Sequence, residues 1–358
     1  LIALCYGTRP QVIKAGRLRQ CLAQLGPVWA VDTGQHYDWS LNELLYQQLG
    51  VAAPDCFLEV GSGSHAEQTS LILLRAEATL REVGPRVVVV IGDTNSTLGV
   101  ALAAAKLRIP VVHVEAGLRC SDLQMAEEIN RRAVDAIAAV LCTPSTSASA
   151  RMQVERPEAR VRETGDVALD ALLGAKGRVP ALHTIVPGLT RPYLFATLHR
   201  AELTGQPELL GGLVRALAAT GTPTVLAMHP RTAQALAQAG FTHDRVGLLQ
   251  LVPPVGYLES LALAAEARAV VTDSGGIQRE AYWLGTPCVT IRSETEWEET
   301  VQCGANRLLA PEESSRGLAA AVTEQVARWN GEQRWLATAY GDGHAGERVT
   351  MAVAELLH

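Results

Sequence analysis

Short apolar runs, "LIALCY", "RVVVVIGD", "IPVVHVEAG" and "AVLCTPS" among them, alternate along the chain with longer stretches of helical period such as "TSLILLRAEATLREV". Strands this apolar belong in a sheet buried on both faces, and the intervening helices are what cover it, so the rhythm predicts an α/β protein with parallel sheets. A stretch containing Gly and Pro, "GAKGRVPALHTIVPGLTRP", interrupts the pattern, which restarts with "YLFATLHR", "TPTVLAMHP", "ARAVVTDSGG" and "PCVTIRS". Two α/β domains are therefore expected, over residues 1–170 and 190–335. A helical segment, 336–358, is expected to return to the first. In open sheets of this kind ligands gather beyond the carboxyl ends of the strands, and two such domains facing each other form a cleft.

Composition narrows the function classes. With 48% hydrophobic and 19% charged residues and a net charge of −6 over 358 residues, the chain has no general attraction for nucleic acid or acidic lipid. Any anion must be held by local groups. The apolar runs are short and no signal peptide is recognisable, so a cytoplasmic protein without membrane insertion is expected. The chain starts at Leu1 inside a strand pattern, which leaves a few preceding residues to be expected. Seven scattered cysteines without a C-x-x-C pair fit reduced thiols, with Cys5, Cys142 and Cys288 as packing residues.

The strand ends carry the polar residues. In "ARAVVTDSGGIQRE" a strand runs into Asp273, Ser274, Gly275 and Gly276 ahead of a helical pattern; this suits either a diphosphate on a bare helix start or an ordinary turn capped by Ser274. Glu280 lies deeper in that helix, as a ribose ligand or as part of a solvated face. In "YGTRPQVIK", Arg9 and Lys14 follow the first strand where cations would meet phosphate. A cation at a helix start opposes the dipole, which weakens a purely structural reading of Arg9. Asp93 ends "RVVVVIGD" as a catalytic carboxylate or a helix N-cap. Glu115, amid apolar residues, is costly to bury unless paired or protonated, which suits acid-base chemistry. Glu127 and Glu128 open "AEEINRR", where they can equally pair with Arg131 and Arg132 along the helix.

His36, His113, His199 and His229 sit near turns or strand ends without metal-ligand spacing, so no metal is expected. "GSGSHAEQ" lacks the third glycine of a dinucleotide fingerprint, and no cofactor is implied.

Taken in order, "GTRPQVIK", "TGQHYD", "GDTNST", "HVEAGLR", "EEINRR", "TLHRAE", "MHPRT", "TDSGGIQRE" and "YGDGHAGER" make the chain resemble the non-hydrolysing UDP-N-acetylglucosamine 2-epimerases. The resemblance implies a GT-B-like fold of two Rossmann-like domains, a homodimer and an elimination that leaves a 2-acetamidoglycal. It assigns Asp93, Glu115 and Glu127 to the acid-base set, and His199, with Arg9 and Lys14, to departure and return of UDP. Ser274 and Gly275 fall at the diphosphate beside Gly276, Glu280 at the ribose, and Arg131 and His229 among the substrate-binding positions. Gln35 and His36 match positions near a regulatory nucleotide site in part of the family. "CVTIRSETEWEE" resembles the branch acting on UDP-2,3-diacetamido-2,3-dideoxy-glucuronate, although Ala126 replaces that branch's proline and Leu203 its asparagine, both in expected active-site loops. A GT-B glycosyltransferase, which needs an acceptor site, and a non-catalytic UDP-sugar sensor, which needs no carboxylates, are the alternatives.

Overall fold

The structure, a computed structural model, describes residues 1–35, 46–241, 243–328 and 339–357. His36 lies outside the described residues. The chain divides into two compact units, Leu1–Lys176 with Thr338–His358, and Gly177–Ala337.

Unit 1 is built on seven parallel strands, β1 (Ile2–Tyr6), β2 (Val28–Asp32), β3 (Cys56–Phe57), β4 (Val87–Ile91), β5 (Val111–Val114), β6 (Val140–Thr143) and β7 (Arg160–Glu163), in the order β3-β2-β1-β4-β5-β6-β7. The β-branched run Val87–Ile91 is buried along its whole length because both faces of a central parallel strand are covered. Chain order reverses between β1 and β4, where Ile2 pairs with Val28 on one side and Val87 on the other. Such a reversal opens a crevice at the carboxyl ends of the strands. Helix His65–Val83 starts on a capping box, Ser64 Oγ accepting from Glu67 N and Glu67 Oε2 from Ser64 N, and stops at left-handed Gly84. The helix Ala345–Ala354 packs on helices Arg9–Leu22 and Val167–Ala175. Its first N–H groups, on Ala345 and Gly346, donate to the Asp170 carboxylate at 3.1 and 2.7 Å, so a residue far upstream caps this helix.

Unit 2 repeats the plan with β8 (Leu194–Leu198), β9 (Thr224–Met228), β10 (Arg245–Val246), β11 (Leu249–Val252), β12 (Ala269–Thr272), β13 (Cys288–Thr290) and β14 (Asn306–Leu308), ordered β10-β11-β9-β8-β12-β13-β14. Every pairing is parallel except the edge hairpin β10-β11. The reversal falls between β8 and β12. Leu203 corrects one expectation: its side chain is 1% exposed and joins the core with Leu198, Leu213 and Leu236, so the change from asparagine adds apolar burial there and presents no group to a ligand. Cys5, Cys142 and Cys288 are buried and their thiols are pushed up to about 12, chiefly by burial, which makes them inert packing groups. None of the seven cysteines is in a disulfide. Among the described residues no helix is long and apolar enough to cross a membrane.

Candidate active site

In unit 1 the loops after β1, β4 and β5 are tied together by side chains. Gln11, to which sequence reading gave no role, accepts from Gly7 N and Thr8 N at 2.9 and 3.1 Å, while its amide nitrogen reaches Ile91 O at the end of β4 at 2.6 Å. One glutamine thus fixes the start of helix Arg9–Leu22 against the turn carrying Asp93. Arg9 is half-buried in that helix's first turn. Lys14, one turn further on, is 7% exposed, and its Nζ lies 2.7 Å from each oxygen of Glu115. Glu115 is itself 7% exposed and adopts φ +70°, a region that a side chain enters at a cost. Strained backbone and a buried ion pair coincide on the residue that the sequence marked as hardest to dismiss. The Lys14 charge is committed to that carboxylate.

Asp93 is not the helix cap. Thr94 takes that place, accepting from Thr97 N, and Asp93 forms an ion pair with Arg131. Of the two glutamates opening helix Ala126–Ile137, Glu128 is fully buried and bonded to Arg131, Arg132 and Cys120 N, so the pairing along the helix belongs to Glu128. Glu127 is exposed on the first turn. Ala126 occupies the first helical position, where the branch's proline is also well suited. Gln35 is buried, its side-chain oxygen accepting from Ser96 N and Oγ at 2.9 and 2.7 Å, which caps helix Asn95–Lys106 from outside.

Unit 2 places its polar groups differently. Asp273, at the end of β12, is buried and accepts from His199 N and Arg200 N at 2.7 and 2.8 Å, joining the ends of β12 and β8. His199 Nδ1 is 3.2 Å from the same carboxylate, and the ring, 40% exposed, lies 6.0 Å from that of His229. His229 caps helix Pro230–Gln238, its Nδ1 accepting from Arg231 N at 3.3 Å. Ser274 caps helix Gly275–Leu284 through a 3.4 Å bond from Ile277 N, so the structural role foreseen for it is present. The helix's opening N–H groups still lack intrahelical partners, as at any helix start. A Cβ on Gly275 would lie 2.9 Å from Glu296 Oε1 and 3.5 Å from Trp297 Nε1, which explains a glycine there. Gly276 is less confined, its nearest neighbour on the same test being Ser274 Oγ at 3.8 Å.

The acidic "SETEWEE" segment is therefore packed against the helix start. Glu296 pairs with buried Arg292 at 2.9 Å, and the Arg279 guanidinium sits 3.8 Å over the Trp297 ring. Thr295 Oγ1 donates to buried Gln278 at 2.8 Å. Glu280, one turn into the helix, is half-buried. Among the described residues no group of three or more His, Cys, Asp or Glu side chains is disposed to hold a metal ion.

Two sheets of similar strand plan, parallel apart from the β10-β11 edge and each gathering polar residues at its carboxyl ends, define a GT-B-like protein. The chain belongs to the UDP-N-acetylglucosamine 2-epimerase family, whose model matches residues 27–354. It is 39% identical over 316 residues to the UDP-2,3-diacetamido-2,3-dideoxy-D-glucuronate 2-epimerase of Pseudomonas aeruginosa, covering 86% of this chain and 88% of that one. It is 35% identical to a UDP-N-acetylglucosamine 2-epimerase homologue of Methanococcus maripaludis, over 99% of both chains. The crystal structure of the Methanocaldococcus jannaschii UDP-GlcNAc 2-epimerase in complex with UDP-GlcNAc and UDP superposes with a TM-score of 0.89 at 34% identity, covering 99% of each chain.

Proposed function

We propose that this chain is a non-hydrolysing 2-epimerase of a UDP-linked 2-acetamido sugar, either UDP-N-acetylglucosamine or its 2,3-diacetamido uronate relative. The hydrogen on C2 of such a sugar is not acidic, since no carbonyl adjoins that carbon. Elimination answers this. A base removes the C2 proton as the C1–O bond to UDP breaks, leaving a 2-acetamidoglycal; UDP then adds back at C1 while a proton is delivered to the opposite face of C2. The scheme needs two acid-base groups and a diphosphate clamp.

The observation that carries this reading is Glu115, buried beside Lys14 at φ +70° in a chain of this family. Lys14 Nζ contacts both oxygens of that carboxylate and fixes it in place. Asp93, paired with Arg131, and Glu127, exposed on its helix, complete the proposed acid-base set. His199, held by Asp273, would protonate or stabilise departing UDP together with Arg9. The start of helix Gly275–Leu284 would receive the diphosphate, with Glu280 on the ribose. A homodimer and a cytoplasmic setting go with the family resemblance. The uronate substrate is favoured by the identity to the Pseudomonas aeruginosa relative, whose name specifies that sugar.

NMR in deuterium oxide tests the reading. Each nucleotide sugar is supplied separately, and deuterium at C2 together with the 2-epimer is expected for at least one. Binding of both without C2 exchange overturns it, and sugar transfer to an added acceptor points instead to a glycosyltransferase.

A further inference from the structure

His113 is the polar residue inside the apolar β5, paired across the sheet with Val90 and Leu141 and fully buried. Its Nε2 lies 2.7 Å from Gly92 O and its Nδ1 2.7 Å from Asp135 Oδ1. A carbonyl only accepts, so the Nε2–H donates to Gly92 O, while Nδ1 shares a hydrogen bond with the Asp135 carboxyl. Burial pushes the Asp135 carboxyl up, but its bonds with His113 and Arg119 outweigh that and hold it below the usual range. Its second oxygen accepts from Arg119 Nη1 at 2.7 Å and from Gly117 N at 3.2 Å, and Arg119 reaches on to Glu155.

The two ends of this cluster are backbone atoms of two turns. Gly92, at φ +68°, precedes Asp93; Gly117, at φ +81°, lies two residues beyond Glu115. Asn130 holds the next carbonyl, that of Asp93, at 2.9 Å. The last backbone bond between the two strand ends is Gly92 N to Val114 O at 2.9 Å, so beyond it the path of each turn leans on such side-chain bonds.

We infer that His113 and Asp135 are positioning residues for the epimerisation, a buried hydrogen-bonded pair that sets the Asp93 turn against the Glu115 turn. This rests on the function proposed above. Catalysis by two carboxylates on separate turns is sensitive to their spacing, and a displacement near 1 Å costs about 10²-fold in rate. Neither His113 nor Asp135 touches the sugar in this account.

The variants His113→Gln and His113→Asn separate the two bonds. A glutamine amide can reach the Nε2 position and donate to Gly92 O, whereas asparagine reaches only the Nδ1 position. C2 deuterium exchange is measured per UDP-binding site, so unfolded protein is not counted, and kcat and KM are determined separately. The expected result is a kcat loss of about 10²-fold for His113→Asn, recovered to within about tenfold of wild type by His113→Gln, with KM unchanged in both. Asp135→Asn, which keeps the shape but loses the charge, is expected to lower kcat without raising KM and covers the case in which a His113 variant does not fold. Equal kcat per binding site in His113→Asn and wild type, or a loss confined to KM, overturns the inference. Absence of C2 exchange in the wild-type protein would instead overturn the proposed function.

Discussion

At the ends of β4 and β5 the polar groups are already partnered: Glu115 with Lys14, Asp93 with Arg131 and, within β5, His113 with Asp135. At the ends of β8 and β12 a single buried carboxylate, Asp273, organises backbone N–H groups, and beside it a helix opens on two glycines. The contrast teaches how two sheets of the same plan can serve different chemistry. Proton transfer needs groups whose ionisation is controlled, and matched charges in a dry setting control it. Holding an anion needs donors that stay put, and backbone at a helix start provides them without a side chain to order.

The largest test of the contrast is Glu115→Gln. It keeps the shape but removes the proposed base, and a loss of about 10²- to 10⁴-fold in kcat is expected, with UDP binding retained; C2 exchange and UDP titration measure the two. A comparable loss of UDP affinity would show that the two regions are not divided in this way. Next is Lys14→Met, which leaves Glu115 buried without its cation. Breaking such a pair costs about 3–5 kcal/mol, read as a lower midpoint in urea unfolding.

In unit 2 the corresponding probe is Gly275→Ala. The new methyl would stand 2.9 Å from Glu296 Oε1, itself held by Arg292, and overpacking of this kind costs about 1–3 kcal/mol. It is expected to appear as weaker UDP binding with kcat for C2 exchange preserved; a kcat loss at unchanged KM would move Gly275 into the chemical step.

The smallest effect is in the acid response of unit 1, which holds two carboxyls displaced in opposite senses. Asp135 is lowered, so its stabilising contribution is present above the unfolded value of about 3.9 and is lost as pH falls through its lower folded value. Asp32 is raised, burial outweighing its bonds from Gly34 and Tyr46, so its ionisation costs stability at neutral pH and that cost fades as pH falls through its folded value. Melting curves of Asp135→Asn should therefore show their largest deficit against wild type near pH 7. Asp32→Asn should show its largest deficit in acid. The same pH trend for both variants would contradict the assignment.

Much of this arrangement was legible in the sequence because a parallel strand announces both itself and its end. "RVVVVIGD" and "ARAVVTDSGG" give a strand, its stop and the polar residue beyond it. Less legible was what depends on rotation about a helix: Glu127 and Glu128 are neighbours in sequence but about 100° apart around the axis, and only the structure buries one and exposes the other. Long-range partners were hidden for a different reason. Gln11 bonds to Ile91 and His113 to Gly92 and Asp135, pairings set by strand order, which local periodicity does not encode. Leu203 was misjudged because "HRAEL" reads as a loop, whereas Ala201–Thr204 is a short helix that turns the Leu203 side chain into the core.

The Asp170 cap on helix Ala345–Ala354 has a consequence for how the protein is made. Unit 2 is encoded in one uninterrupted stretch and can complete its core while the chain is still emerging from the ribosome. Unit 1, although its strands are translated first, waits for the segment that covers helices Arg9–Leu22 and Val167–Ala175. Until then an apolar flank and the Asp170 carboxylate remain uncovered, so of the two units the one whose strands are translated first is the second to be finished.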